Sequence, residues 1–329
     1  MDEQLNLYRQ WGLSLDLALE AHDLLRGERG GEVPGVKLTE EQEALASIKV
    51  ITILNRQGSE IMQKPPGTYI TISSDSFTLN NHSIRQEMAV ILAKQLKKII
   101  QFKNLQEPVL IVGLGNRQAT PDSLGPRVAE KTMATRHLFG HAPQQILEGI
   151  RPVSVLTPGV LGTTGIETAE MVKAIVNNIH PSLVIAIDAL AAGDASRIGT
   201  TIQICDTGIN PGAGVGNERP GLYEKFLGVP VLAIGVPTVV KAKIIAHHAL
   251  QDFLDLLDNH AGIHRKNFSL PQPLLTQLIN EALNPYQNNL EVTPKEIDDL
   301  INNCAAIIAE ALRLTLHPEM NQDFADCFM

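Results

Sequence analysis

Two aspartates and one glycine-rich loop concentrate the residue types that could do chemistry. Asp122 follows the apolar run PVLIVGLGN (108–116) in the turn-like stretch TPDSLGP, and Asp188 punctuates LVIAIDAL (183–190), a run otherwise wholly apolar. If both face one crevice, their like charges keep one carboxyl protonated and leave the other ionised. Such a pair supplies a base for water and an acid for a leaving amine. The third feature is TIQICDTGINPGAGVGNERP (201–220), where a β-branched start gives way to a loop holding Gly208, Gly212, Gly214 and Gly216. Glycine costs backbone entropy and packs nothing, so this loop needs positive φ angles or a close backbone approach to a ligand; its backbone N–H groups over 208–216 are expected to hold an extended substrate or a developing oxyanion. Asn116, Glu167, Asp206 and Asn217 are further candidates for orienting groups or substrate contacts.

Each of these residues also has a plainer reading. Asp122 serves equally as the N-cap of a following helix. Asp188 could pair structurally with a lysine or arginine. Glu167 stands three residues after Thr164, the spacing of a capping box, and Asp206 could bond its own loop as an Asx-turn. Gly113-Leu114-Gly115 follows a strand as a dinucleotide fingerprint does, but Gln118 occupies the place of its third glycine. No acidic residue ends a strand about twenty residues on, and neither a GxSxG elbow nor a P-loop occurs. No cofactor and no metal are therefore expected. Cys205 reads as a small core residue, and His247-His248 as a structural or surface pair.

A β-loop-α alternation must position these groups. Strands are expected at SIKVITIL and TYITIS, separated by a Gln57-Gly58 turn, then at 108–116, 153–159, 183–190, 201–206 and 230–237. Helical periodicity covers about 83–100 through Ile84, Met88, Ile91, Leu92 and Leu96. Further helices are expected over 127–136 and 164–178, and from the capping box Thr293-Pro294-Lys295-Glu296 into the C-terminal part. The expected fold is α/β, a three-layer, mostly parallel sheet flanked by helices, with an added N-terminal β-rich region and a C-terminal helical region. In such sheets ligands bind beyond the carboxyl ends of the strands, where Asn116, Asp122, Thr157, Gly159, Asp188, Asp206, Pro237 and Thr238 fall. Residues 1–36 form an arm ending in the linker RGERGGEVPG; its leucines alternate as in an extended segment, while Leu17, Ala21, Leu24 and Leu25 suit a short helix.

Composition narrows the class. The 329 residues include 44% hydrophobics, ample for a buried core, and the net charge is −9. An acidic surface argues against nucleic acid or anionic membrane as a direct partner. Three widely spaced cysteines (Cys205, Cys304, Cys327) form no metal pattern and fit a reducing cytoplasm. No apolar run approaches the length of a membrane span.

Taken together, GLGNRQATPDSLGP (113–126), TPGVLGTTGIETAEMVKAIV (157–176), VIAIDALAA (184–192), TIQICDTGINPGAGVGNERP (201–220), LGVPVLAIGVPTVV (227–240) and VTPKEIDDLI (292–301) resemble the germination protease family, spore proteases that degrade small acid-soluble spore proteins. The segments occur in family order from Gly113 to the C-terminus, with a weaker match in the arm. The resemblance implies an aspartic-type endopeptidase with Asp122 and Asp188 as its proposed catalytic pair. It also implies a cytoplasmic homotetramer made as an inactive precursor. Asp16-Leu17-Ala18-Leu19-Glu20 is similar to the family's processing site and to the sequence cut in its substrates. The expected organisation is then a pro-segment, 1–16, and a single peptidase domain, 17–329. Two positions depart from the pattern: Leu15 stands where a threonine commonly precedes the aspartate, and Lys241 stands where an aspartate usually follows PTVV. A hydrogenase-maturation-type, metal-dependent endopeptidase, which shares the GxGN opening, and a non-catalytic sporulation protein on the same fold are the alternatives.

Overall fold

The computed structural model of the chain describes residues 8, 11, 15–27, 31–143, 147–210, 220–260, 272–286, 290–318 and 320. Its strands are β1 Val36–Gln42, β2 Ser47–Ile53, β3 Gly67–Ser73, β4 Val109–Gly113, β5 Val153–Leu156, β6 Leu183–Ala192, β7 Thr201–Cys205, β8 Val231–Lys241 and β9 Glu291–Val292. The main helices are α1 Ala18–Arg26, α2 Arg56–Met62, α3 His82–Ile99, α4 Leu124–Lys131, α5 Thr168–Ile179, α6 Ala242–His260, α7 Gln272–Leu283 and α8 Ile297–Leu316. All nine strands join one sheet in the order β1-β2-β3-β7-β8-β6-β4-β5, with β9 beside β8.

The α/β class and the helical C-terminal region are as the sequence implies. The sheet is mixed: β5, β4, β6 and β8 are parallel, whereas β8–β7, β7–β3, β3–β2 and β2–β1 are antiparallel. The cause lies in connection length. Residues 193–200 between β6 and β7 are too few for a crossover helix, so β7 returns antiparallel and pairs with β8. The N-terminal strands then extend the main sheet through β3.

Period-two alternation divides the core into two faces. Ile111, Ile185 and Ile187 pack with Met88 and Leu92 of α3, Leu124 and Val128 of α4, and Ile301, Ile308 and Leu312 of α8. Val112, Val184 and Ala186 pack with Ala169, Val172 and Val176 of α5. Asp188 shares the parity of Val184 and Ala186 and so belongs to the α5 side of the sheet. On that same side, α1 covers Ile51, Tyr69 and Cys205.

Several local expectations give way to tertiary context. No turn forms at Gln57-Gly58; Gly58 lies inside α2, where Asn55 caps its amide at 3.0 Å and a Cβ would strike the Gly35 carbonyl. Strand β1 lies in a segment for which the sequence suggests no element. Neither capping box forms. Gly165 closes a separate turn at Leu161–Thr164 with φ 71°, so α5 starts at Thr168 with Glu167 as its N-cap. Thr293 donates instead to the Thr238 carbonyl at 2.8 Å, and α8 begins at Ile297.

Candidate active site

The groove at the ends of the parallel strands is a cleft of ≈ 540 Å³ lined by Asp16, Lys64, Asp122, Asp188, Gln203 and Gly208, among others. Asp122 is delivered by a tight sequence of close approaches. Gly125, at the start of α4, lies so near the strands that a Cβ would collide with the backbone of Leu114 and the carbonyl of Ile187. Gly115 has φ 106°, and a Cβ there would collide with the Asp122 carbonyl. These two glycines seat the 115–122 turn on the ends of β4 and β6. Arg127 anchors the same turn from behind, donating to Ser123 Oγ at 2.9 Å and Asn302 Oδ1 at 2.6 Å and pairing with Asp298.

Asp122 accepts the Asn116 N–H on Oδ2 at 2.8 Å. Asn116 thus acts through its backbone, while its side chain accepts the Gln118 N–H at 3.0 Å. Burial raises the Asp122 carboxyl above its ordinary value; the Asn116 N–H opposes this and the Glu291 charge adds to it. Asp188 is nearly fully buried, and Oδ1 accepts from the Ala189 N–H at 2.9 Å. Burial pushes it well above the carboxylate range, and the charges of Asp122 and Asp16 push it further. The two carboxylates are therefore near enough to feel one another, as the strand ends suggest. Asp188 is not terminal, however: β6 continues to Ala192, past a register shift at Leu190/Ala191. Lys241 pairs with Glu291 at the rim, which moderates the charge that bears on Asp122.

Leu15 and Asp16 of the N-terminal arm lie in this cleft. The Asp16 carbonyl accepts from Lys64 Nζ at 3.0 Å and from Gln203 Nε2 at 3.1 Å, and Lys64 also reaches the Leu15 carbonyl at 2.8 Å. The Asp16 carboxylate accepts the Ala191 N–H at 2.8 Å. Burial lowers the Lys64 ammonium, and the Asp16 charge works against that shift. Leu17 is fully buried, and α1 begins immediately after it. Glu20 is gripped by the Gly193 N–H at 2.9 and 2.8 Å and the Asp194 N–H at 3.1 Å, with Arg197 at 3.4 Å. Burial raises it to about 7 despite those donors. Farther out, Tyr8 and Trp11 rest against His247, whose ring they meet edge-on at 6.3 and 5.7 Å. His247 is a buried residue of the arm's docking surface, and Tyr8 bonds His248 at 3.1 Å.

The other candidates divide. Gly208 lines the cleft with φ 83°, and the Ile209–Leu222 bridge closes the base of its loop. Gly212, Gly214, Gly216 and Asn217 lie outside the described residues. Asp206 is exposed and makes no Asx-turn; its Oδ1 accepts the Thr68 N–H at 2.7 Å, extending the β3–β7 ladder. Glu167 sits at the start of α5, and its neighbour Thr168 lines the cleft instead. Cys205 is buried and its thiol is pushed up, which suits packing and not attack. Sequence reasoning missed Lys64, Gln203 and the Gly193–Arg197 corner. Gln203 alone left a signal, as a polar residue inside a strand with no exposed face. Among the described residues no group of three or more His, Cys, Asp or Glu is arranged to hold a metal ion, and no helix is long and apolar enough to cross a membrane.

The family model for germination protease matches residues 18–276 and 268–329. The chain is 42% identical over 318 residues to the germination protease of Clostridium tetani, covering 95% of this chain and 98% of that one. It is 45% identical over 320 residues to that of Caldanaerobacter subterraneus subsp. tengcongensis, covering 94% and 98%. The germination protease of Bacillus cereus (strain AH187) is 38% identical over 366 residues, covering 98% of each chain. A shared family model over nearly the whole chain, with relatives this similar end to end, has one consequence: the protein is a peptidase of the germination protease family.

Proposed function

We propose that the chain is the precursor of an aspartic-type endopeptidase of spore germination and that it cuts its own Asp16–Leu17 bond. Residues 1–16 are the pro-segment and 17–329 the peptidase domain. The observation that carries this reading is the arm itself: Asp16 lies with both carbonyl and carboxylate bonded inside the cleft that Asp122 and Asp188 line. Asp122, steadied by the Asn116 N–H, is the base that takes a proton from water. Asp188, kept protonated by burial and by the Asp122 charge, gives its proton to the Leu17 nitrogen. The pair titrates as a unit, so the proton passes back from Asp122 to Asp188 between turnovers.

The arm also indicates the substrate. Small acid-soluble spore proteins carry an acidic-apolar-small-acidic sequence like Asp16–Glu20, and the same contacts would hold it. The net charge of −9 favours substrate that has left its DNA. Exposed Phe253 and Leu256 on α6 and Leu274 and Leu278 on α7 offer apolar surface for a homotetramer in the spore cytoplasm. The test is mass spectrometry of the N-terminus during incubation, with Asp122→Asn and Asp188→Asn beside the wild type. Loss of residues 1–16 in the wild type alone is the expected result. Equal processing in all three would refute the catalytic pair.

A further inference from the structure

A carboxylate pair accounts for the water and the leaving amine, but not for the charge that builds on the carbonyl oxygen during attack. In acyl-transfer enzymes, stabilising that charge is commonly the largest single contribution to catalysis. Two side chains outside the pair meet the relevant oxygen. Lys64 Nζ lies 3.0 Å and Gln203 Nε2 3.1 Å from the Asp16 carbonyl oxygen. Neither arrangement is loose. Lys64 is held by a second bond to the Leu15 carbonyl at 2.8 Å. Gln203 Oε1 accepts the Ala18 N–H at 2.7 Å. Because a backbone N–H can only donate, Gln203 must turn its oxygen to Ala18 and its amide hydrogens to Asp16.

We propose that Lys64 and Gln203 form the oxyanion site of this peptidase, one cationic and one neutral donor on the scissile carbonyl. The proposal rests on the assignment of Asp16–Leu17 as the bond cut and of Asp122 and Asp188 as the acid-base pair. Water oxygen bonds to the Asp16 carbonyl carbon and its proton moves to Asp122. The π electron pair shifts to the carbonyl oxygen, which both donors hold. As that pair returns, the C–N bond breaks and the Leu17 nitrogen takes the proton of Asp188, leaving a carboxylic acid and an amine. Hydrogen bonds of this kind shorten and strengthen as the acceptor gains charge, so they favour the transition state over the bound ground state. A mere clamp would favour the ground state.

The full-length chain distinguishes these roles, because the arm is both substrate and reporter. Trp11, the chain's single tryptophan, packs on His247 and reports whether the arm is docked. Arm release is timed by mass spectrometry in Lys64→Met and Gln203→Glu, the latter keeping the acceptor for Ala18 while removing the donor. Docking is followed by acrylamide quenching of Trp11. Release slowed about 10²-fold in each variant, with quenching unchanged, is the expected result. Lys64→Arg, which keeps a charged donor, recovers at least part of the rate and covers the case in which Lys64→Met fails to fold. Release within threefold of wild type overturns the proposal, and so does slow release accompanied by exposure of Trp11, which marks a clamp. If those variants behave normally while Asp122→Asn and Asp188→Asn are inert, the oxyanion assignment fails alone. Processing that survives the aspartate substitutions, or a wild type that never processes, overturns the underlying assignment and this one with it.

Discussion

Replacing Glu20 by glutamine should remove a specific part of the protein's pH dependence. Glu20 is 6% exposed, and burial outweighs its donors enough to raise its carboxyl from 4.5 to about 7. The folded state therefore binds a proton that the unfolded chain has already lost between those pH values. Its stabilisation is fully present below pH 4.5 and disappears as pH rises through 7. At about 1.4 kcal/mol per unit, this single group removes at most about 3 kcal/mol of stability between those limits. Glutamine resembles the protonated form: it is neutral and still offers an oxygen to the Gly193 N–H. Urea unfolding of the wild type and Glu20→Gln from pH 4.5 to 8, both in an Asp188→Asn background to keep the arm attached, isolates the effect. The two proteins should be level near pH 4.5, with the variant more stable by about 3 kcal/mol toward pH 8. Parallel curves across that range would refute the reasoning, since Glu20 would then titrate alike in both states.

Other perturbations test the platform and the chemistry. Gly125→Val should cost upward of about 3 kcal/mol, or abolish folding, because the new side chain meets Leu114 and Ile187 backbone that cannot yield; a melting temperature within 2–3 °C of wild type, against the drop of about 4 °C or more that such a cost implies for a chain of 329 residues, would contradict this. A strong chelator should leave the rate of arm release unchanged if, as proposed, Asp122 and Asp188 supply both proton transfers; loss of activity that added nickel or zinc restores would favour a metal-dependent endopeptidase.

Much of the site was legible because strand ends and glycines are written locally. Asp188 stands out as a charge within an apolar run, and the TPDSLGP turn after β4 places Asp122 beside it once the β-loop-α order is read. The mixed sheet was less legible. Apolar strands such as β7 look alike whether their neighbours are parallel or antiparallel, and only the short 193–200 connection signals the reversal. The capping boxes failed for a different reason. Thr293 had a better partner in the Thr238 carbonyl, 55 residues away, and such partners are invisible to local pattern. Lys64 shows the same limit more sharply. Beside Pro65 it reads as a surface lysine, and its role depends on an arm whose acceptors lie 48 and 49 residues earlier in the chain.

Cutting the Asp16–Leu17 bond should loosen the start of α1 without releasing the helix. Cleavage turns the Leu17 nitrogen, which before the cut stands two bonds from the carbonyl oxygen that Lys64 touches, into an ammonium, so two cations start within roughly 5 Å of each other. At an effective dielectric of about 20 they repel by about 3 kcal/mol once the Asp16 carboxylate has left with the pro-segment. Opposing this, burial of Leu17 and Leu19 contributes roughly 2–3 kcal/mol for each side chain. Repulsion is therefore confined to the first turn. On the proposed reading, substrate completes the displacement by placing its own acidic side chain where Glu20 meets Gly193, Asp194 and Arg197. Hydrogen exchange separates these stages. The amides of Ala18 and Ala21, bonded to Gln203 Oε1 and the Leu17 carbonyl, should lose about 10²-fold protection on processing, while those of Leu24–Arg26 keep theirs. Equal loss along the whole helix would mean that the ammonium outweighs the packing, and no loss at Ala18 would mean that the new charge is neutralised in place.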